Sequence, residues 1–237
     1  MATFMLVHGA WHGAWCWEKL RAALERAGHR TVAFDLPGHG SDRTPASRVS
    51  LDAYAERIVE ALDAEDEPVI LVGHSMGGMA VSQAAERRPD KVARLVYLCA
   101  FLPRDGEALL AIESRNPRST VPPSIVVDEA TGTATIPREK LGELFYGDVA
   151  PAEAEAAAAR LTPQPLAPFE QPARLGAAFA SVPKTYVVCT EDGAISEALQ
   201  RDMLGASGVA DVVELRRGHS PFLSAPEELA EALAGAA

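Results

Sequence analysis

Positive charge is scarce in this chain: 22 Lys and Arg face 33 Asp and Glu, for a net charge of −11. Without a basic excess to neutralise phosphates, nucleic-acid binding is not expected. The acidic balance speaks for solubility and little else. Cysteine is scarce too, with only Cys16, Cys99 and Cys189. An odd count with Cys99 and Cys189 in apolar, strand-like runs excludes a disulfide framework. These residues read as small buried hydrophobes in a reducing compartment. No apolar run reaches the length that spans a bilayer. The segment Met1-Ala2-Thr3-Phe4-Met5-Leu6-Val7 has no positive flank and its apolar run stops at His8, which is not the pattern of a secretory leader. A cytoplasmic protein with no membrane partner is expected. Metal and nucleotide motifs are missing as well. His8 and His12 are four apart, but Gly9 and Gly13 make that segment a loop, and no H-E-x-x-H helix accompanies it. Asp35-Leu36-Pro37-Gly38-His39-Gly40 lacks the Lys-Ser/Thr of a phosphate loop. No metal and no cofactor are expected.

What is present is a chain of 237 residues with 48% hydrophobic content, enough for one α/β domain with a sizeable core and an insertion. Short β-rich runs alternate with helical periodicity. Residues 4–7 form the first strand. Trp17, Leu20, Leu24 and Ala27 then recur at helical spacing until Gly28. Residues 31–34 form a second strand. Leu51, Tyr54, Ala55, Ile58 and Leu62 line a second helix that Ser50 caps. Residues 69–72 form a third strand, followed by a helix over 76–87, and residues 92–99 form a fourth strand. Strands of such continuous apolar content are covered on both faces, as in a parallel sheet. The alternation is that of a doubly wound α/β fold.

The alternation breaks after Phe101-Leu102-Pro103. Residues 103–172 are rich in Pro, Ala and Glu. They contain a hairpin, residues 124–128 and 133–136 around Thr131-Gly132, and two helical pieces over 138–145 and 151–161. This segment is expected to be a cap inserted into a catalytic core of residues 1–102 and 173–237. Long excursions with real periodicity are commonly functional. The α/β pattern then resumes, with a strand at 184–190, a helix at 195–204 and a strand at 212–215. Ser224-Ala225-Pro226-Glu227 opens a last helix with the pattern of a capping box. The main sheet should hold about six strands.

The chemistry centres on Gly73-His74-Ser75-Met76-Gly77, a G-x-S-x-G set between a buried strand and a helix. Such a turn lifts the serine hydroxyl clear of the sheet. A serine needs a base to take its proton, and the base needs a carboxylate to hold its tautomer. Open α/β sheets gather such groups at the carboxyl ends of their strands, here in the chain order Ser, acid, His. His219, in Arg216-Arg217-Gly218-His219-Ser220-Pro221 after the last strand, meets the order; His8, His12, His29, His39 and His74 all precede the serine. Asp192 is the favoured acid, in Thr190-Glu191-Asp192-Gly193, with Glu191 and Asp105 as the other candidates. The oxyanion should be bound by two backbone N–H groups, from Met76 and from Ala10 in the loop after the first strand. Trp11, Trp15 and Trp17 are expected in the core or against the cap. Ser75 excludes the aspartate nucleophile that some hydrolases of this fold use.

These residues together resemble the α/β-hydrolase superfamily. The run Phe4-Met5-Leu6-Val7-His8-Gly9-Ala10-Trp11-His12-Gly13-Ala14-Trp15-Cys16-Trp17 is similar to the plant methylesterase and hydroxynitrile lyase family and its bacterial esterase relatives. Further matches are Asp35-Leu36-Pro37-Gly38-His39-Gly40, Gly73-His74-Ser75-Met76-Gly77-Gly78, Cys189-Thr190-Glu191-Asp192 and Gly218-His219. The resemblance implies an α/β-hydrolase fold with an inserted cap, a triad of Ser75, Asp192 and His219, and oxyanion donors at Ala10 and Met76. It disfavours Glu191 as the acid. The lyases of that family carry a threonine after the first-strand histidine and a lysine after the catalytic histidine; here Gly9 and Ser220 occupy those positions. Hydrolysis of a small carboxylic ester is therefore expected, with Gly9, Trp11, Phe101 and Leu102 as candidate pocket residues. The alternatives are a C–C or lactone hydrolase with the same triad, a hydroxynitrile lyase, and a ligand-binding protein on a hydrolase scaffold.

Overall fold

The computed structural model describes residues 1–116 and 119–235. Residues 117–118, within the expected cap, and 236–237, within the expected core, lie outside the described residues. Six strands, β1 (Thr3–Val7), β2 (Arg30–Ala33), β3 (Val69–His74), β4 (Val92–Leu98), β8 (Lys184–Cys189) and β9 (Asp211–Leu215), form one sheet in the order β2-β1-β3-β4-β8-β9. Every pairing in it is parallel. Strand β3 is buried at each position, as its unbroken apolar run demands. Helices α1 (Glu18–Arg26), α2 (Leu51–Asp63), α3 (Gly77–Arg87), α10 (Glu197–Ser207) and α12 (Pro226–Gly235) connect or flank the strands. The Ser50 hydroxyl accepts the Ala53 N–H and caps α2.

The strand order sets where the chemistry can sit. From β1 the chain steps to one edge to make β2, then returns to place β3 on the other side of β1. Loops leaving the carboxyl ends of β1 and β3 diverge there and open a crevice. Val7 stands opposite Gly73 in register, so the loop beginning at His8 and the turn at Ser75 emerge side by side.

Between β4 and β8 the chain leaves the sheet for α4 (Leu109–Glu113), α5 (Val121–Ser124), β5 (Val126–Asp128), β6 (Thr133–Thr135), α6 (Arg138–Leu144), α7 (Pro151–Ala158), β7 (Gln164–Pro165), α8 (Ala167–Glu170) and α9 (Ala177–Ser181). The expected hairpin forms, with Val127 opposite Ala134, and gains a third strand when β7 pairs with β6. Strand β7 is two residues long, and α4, α5, α8 and α9 are one turn each, too short for hydrophobic periodicity to register. Gly106 and Ala173 close the excursion at its neck: Gly106 N–H donates to Ala173 O, and Ala173 N–H donates to Glu107 O.

Two local expectations need correction. Helix α10 begins at Glu197 and not at Ile195, because the Ile195 N–H is taken by Asp192 and Ser196 caps the helix, its hydroxyl accepting the Leu199 N–H. Ser224 does not form a capping box. It ends the short helix α11 (Pro221–Ser224), and its hydroxyl donates to Asp148 Oδ2 at 2.9 Å. Among the described residues no helix is long and apolar enough to cross a membrane. All three cysteines are buried and free.

Candidate active site

The chain turns from β3 into α3 at Ser75, which takes a left-handed conformation with φ 53°. A non-glycine residue holds that conformation only where its surroundings over-determine it. Here the Ser75 carbonyl accepts two N–H groups, from Gly78 and Phe101, both at 3.0 Å. Helix α3 must pass very close to the loop after β4 to make these bonds. A Cβ at Gly78 would lie 2.1 Å from the Phe101 oxygen, so only glycine fits.

Asp192 and His219 meet across 27 residues of sequence. The His219 Nδ1–H donates to Asp192 Oδ2 at 2.8 Å, and both side chains are almost wholly buried. The other carboxylate oxygen, Oδ1, accepts the N–H groups of Ala194 at 2.7 Å and Ile195 at 2.8 Å. The carboxylate is thereby oriented, and the imidazole is held with Nε2 as its free lone pair. Glu191 points elsewhere and pairs with Arg216 at 2.7 Å on the surface. Asp105 accepts the Leu175 N–H at 2.9 Å, near the neck of the insertion. Among the described residues Ser75 Oγ makes no hydrogen bond. The Ser75–His219 proton transfer therefore belongs to the functional proposal, and contacts of this kind commonly tighten only with substrate bound.

Neither Ala10 N–H nor Met76 N–H donates to an acceptor among the described residues. The Ala10 loop is held from both sides. His12 Nδ1–H donates to Ala10 O at 2.8 Å, and His12 Nε2 accepts the Tyr146 O–H at 2.9 Å. Trp11, with φ 61°, donates its indole N–H to Ala134 O at 2.9 Å, and its carbonyl accepts the Thr162 N–H at 2.9 Å. Tyr146, Ala134 and Thr162 all come from the inserted segment, so the insertion grips the loop that carries Ala10.

His8 and His74, also buried, are tied into the fold by hydrogen bonds. His8 Nδ1–H donates to Gly9 O at 2.8 Å and its Nε2 accepts the Leu36 N–H at 3.0 Å. Both ring nitrogens of His8 and of His12 are thus engaged by protein groups, which argues against the pair as metal ligands. Burial pushes His8 down to about 4 and His12 down to about 3, so both are neutral near pH 7. His74 is also held well below its ordinary value by burial, then by neighbouring His219. Its Nε2–H donates to His219 O at 2.8 Å. Ligand atoms of His74, Cys99 and His219 lie within 4.8 Å of one another. Burial keeps the Cys99 thiol protonated, and its Sγ–H donates to the His219 carbonyl at 3.6 Å.

A pocket opens at Ser75. Ala10, Trp11, Ser75, Met76 and Phe101 line it together with Leu109, Val121, Ile125, Phe145, Phe169 and Ile195, and it leaves about 60 Å³ of free space. Two candidate pocket residues stand off its wall. Leu102 is packed in the core. Gly9 lies behind Ser75, where a Cβ would be 2.8 Å from Ser75 Cβ. Trp11 lines the pocket and bonds to the inserted segment, whereas Trp17 is wholly in the core. The wall residues from the insertion went unrecognised in the sequence. One turn of helix with Leu109 and Ile112 was the only local signal, and no spacing marks which side of such a turn faces a cavity. Glu113, at the end of that turn, is the one ionisable group on the wall among the described residues.

The fold and this site define a hydrolase of the α/β class. Residues 4–232 match the profile of the alpha/beta hydrolase family, and the chain belongs to it. Within that family it is related to plant methylesterases and bacterial esterases. It is 33% identical to salicylic acid-binding protein 2 of Nicotiana tabacum over 97% of this chain and 95% of that protein. It is 32% identical to a carbendazim hydrolyzing esterase of Nocardioides sp. (strain SG-4G), over 99% of each. Among solved structures, the pyrethroid hydrolase of Sphingobium faniae JZ-2 superposes with a TM-score of 0.89 at 30% identity, covering 99% of this chain and 96% of that one.

Proposed function

We propose that this protein is a serine carboxylesterase that cleaves a small carboxylic ester through Ser75, His219 and Asp192. The observation that carries the reading is the buried Asp192–His219 pair, tied through the His219 carbonyl to His74, the chain neighbour of the pocket-lining Ser75. His219 Nε2 takes the proton as Ser75 Oγ attacks the ester carbonyl. Asp192 holds the imidazole and stabilises its charged form. The Ala10 and Met76 N–H groups, free of other acceptors, bind the oxygen that becomes negative. The tetrahedral intermediate collapses, His219 protonates the departing alcohol, and an acyl-Ser75 ester remains. Water, deprotonated by His219, then releases the acid. The chemistry draws only on protein groups and water.

Residues 1–102 and 173–237 serve as the catalytic core and residues 103–172 as the cap that supplies most of the pocket wall. Reduced, buried cysteines suit a cytoplasmic location. A cyanohydrin-cleaving role is disfavoured by the packing. There is no room for a threonine side chain at Gly9, and Ser220, fully buried, stands where a cyanide-directed lysine would be needed.

The test is a panel of short methyl esters, a lactone and acetone cyanohydrin, run on the wild type and Ser75→Ala. Ester turnover in the wild type and its loss by several orders of magnitude in Ser75→Ala are expected. Ester turnover unchanged in Ser75→Ala overturns the mechanism. Cyanohydrin cleavage without ester cleavage overturns the assignment. Labelling of Ser75 by a fluorophosphonate with no turnover of any substrate would make the protein a binder.

A further inference from the structure

We infer that Glu113 is a substrate-recognition residue, and that the ester this pocket takes carries a hydroxyl or amino hydrogen-bond donor on its acyl group. The inference rests on the reading of the pocket over Ser75 as the ester site.

Glu113 closes α4 and lies on the same pocket wall as Ser75. The surrounding wall is apolar: Leu109, Val121, Ile125, Phe145 and Phe169. The residue is only 7% exposed. A carboxyl group buried in such surroundings is costly unless its oxygens find donors. A carboxylate offers about four acceptor positions. Among the described residues two side chains of its own segment offer donors to Glu113: the Ser119 hydroxyl, and Asn116 Nδ2, which reaches Oε1 at 3.4 Å. Asn116 is itself anchored, because its Oδ1 accepts the Ser196 O–H at 2.6 Å. Two neutral donors fill only part of that capacity, and the carboxyl lines the pocket with acceptor positions left for a ligand. Burial raises the Glu113 carboxyl above its ordinary value, against the opposing hydrogen bonds of Ser119 and Asn116.

Apolar pockets of this kind fix ligand orientation through a few placed polar groups. Ser75 and Glu113 line one pocket with about 60 Å³ of free space, so a short acyl group attached at Ser75 shares that space with the Glu113 carboxyl. A hydroxyl or amine on that group satisfies the carboxyl. A methyl in its place leaves the carboxyl without a donor on the pocket side, and a second carboxylate faces like charge. A site built to bond a substrate donor discriminates strongly against the analogue lacking it.

The experiment compares matched methyl esters: 3-hydroxybutanoate against 3-methylbutanoate, and 3-hydroxypropanoate against butanoate. The methyl leaving group puts the rest of each substrate on the acyl side. kcat/KM is measured for the wild type, Glu113→Gln and Glu113→Leu, with fluorophosphonate labelling of Ser75 as a readout independent of the acyl group. The hydroxy-to-methyl ratio should fall by about tenfold or more in Glu113→Leu and stay within about threefold in Glu113→Gln, whose amide oxygen still accepts. Labelling of Ser75 in both variants reports that the nucleophile is intact, and the hydroxy-to-methyl ratio is read only where labelling occurs. If Glu113→Leu loses its folded near-UV signature, Glu113→Met, with a flexible side chain of similar length, carries the same comparison. A ratio that does not move, with labelling and methyl butanoate turnover intact, overturns the role of Glu113 and leaves the esterase reading standing. Absence of both labelling and turnover in the wild type overturns the esterase reading, and this inference with it.

Discussion

Replacing Asp192 with asparagine changes one atom of the site and should disable it by a mechanism the hydrogen bonds define. Asp192 Oδ1 accepts two loop N–H groups, from Ala194 and Ile195, and Oδ2 accepts the His219 Nδ1–H. An asparagine has one oxygen and one NH2. Turning the NH2 toward the loop would set it against two donors and forfeit two hydrogen bonds, at roughly 1–3 kcal/mol for each group left unpaired. The oxygen therefore stays with the loop and the NH2 faces His219. A donor facing Nδ1 selects the tautomer with its proton on Nε2. That nitrogen can no longer take the proton of Ser75. The corresponding change in well-studied serine triads costs about 10⁴ in kcat, which is roughly 5 kcal/mol of barrier. The assay is kcat and KM on a short methyl ester for Asp192→Asn, beside Glu191→Gln and Asp105→Asn as controls. KM should change little for Asp192→Asn, and the two controls should keep wild-type rates. A rate within tenfold of wild type for Asp192→Asn, or a collapse in Glu191→Gln instead, refutes the reasoning.

Two further outcomes follow from the same geometry. Asp148, in the insertion, accepts the Gly218 N–H at 3.0 Å and the Ser224 O–H at 2.9 Å, and so steadies the turn before His219. Asp148→Ala should lower kcat by about tenfold and cost roughly 1–3 kcal/mol of stability; Asp148→Asn, which keeps an accepting oxygen, should recover most of both, and equal kcat in the three proteins would remove Asp148 as a positioning residue. Acid should also unfold the protein early. His8 falls to about 4 and His12 to about 3 in the fold, against 6.5 when unfolded. The unfolded chain thus binds protons first, so stability is full above pH 6.5 and is lost as pH falls through the window from 6.5 toward 4. At about 1.4 kcal/mol per pH unit for each histidine, the loss from these two reaches roughly 4 kcal/mol by pH 5. Urea midpoints measured from pH 8 to pH 5 check this; a flat profile across that range would mean that the two rings are not buried in their neutral form.

The elements that the sequence disclosed are those whose information is local. The unbroken apolar run of β3 and the 3.6-residue periodicity of α2 are written in adjacent residues, and so were the sharp turn at Ser75 and the order serine, acid, histidine. The hairpin of β5 and β6 was legible through Thr131-Gly132. β7 was not, because two residues show no alternation and their only mark is the partner strand they join. Position and resemblance favoured Asp192 over Glu191, but the physical reason for that choice lies in the fold. They are neighbours of like charge, and the fold separates them by direction: one meets Arg216 at the surface and the other meets His219 in the interior.

The pocket is the clearest case of a property that tertiary structure alone decides. Leu109, Val121, Phe145 and Phe169 are ordinary apolar residues on separate short elements, and they share a wall only because the insertion folds back over the crevice between β1 and β3. Glu113 illustrates the same point for a charge. In the sequence it is one acidic residue among 33. Only in the folded chain is it the acid that faces the pocket. By itself the sequence determined the class of fold and the serine at its elbow, since periodicity and turn chemistry act over a few residues. The fold decided which acid reaches the histidine and what the pocket can recognise, because both depend on side-chain direction and on contacts between residues far apart in the chain.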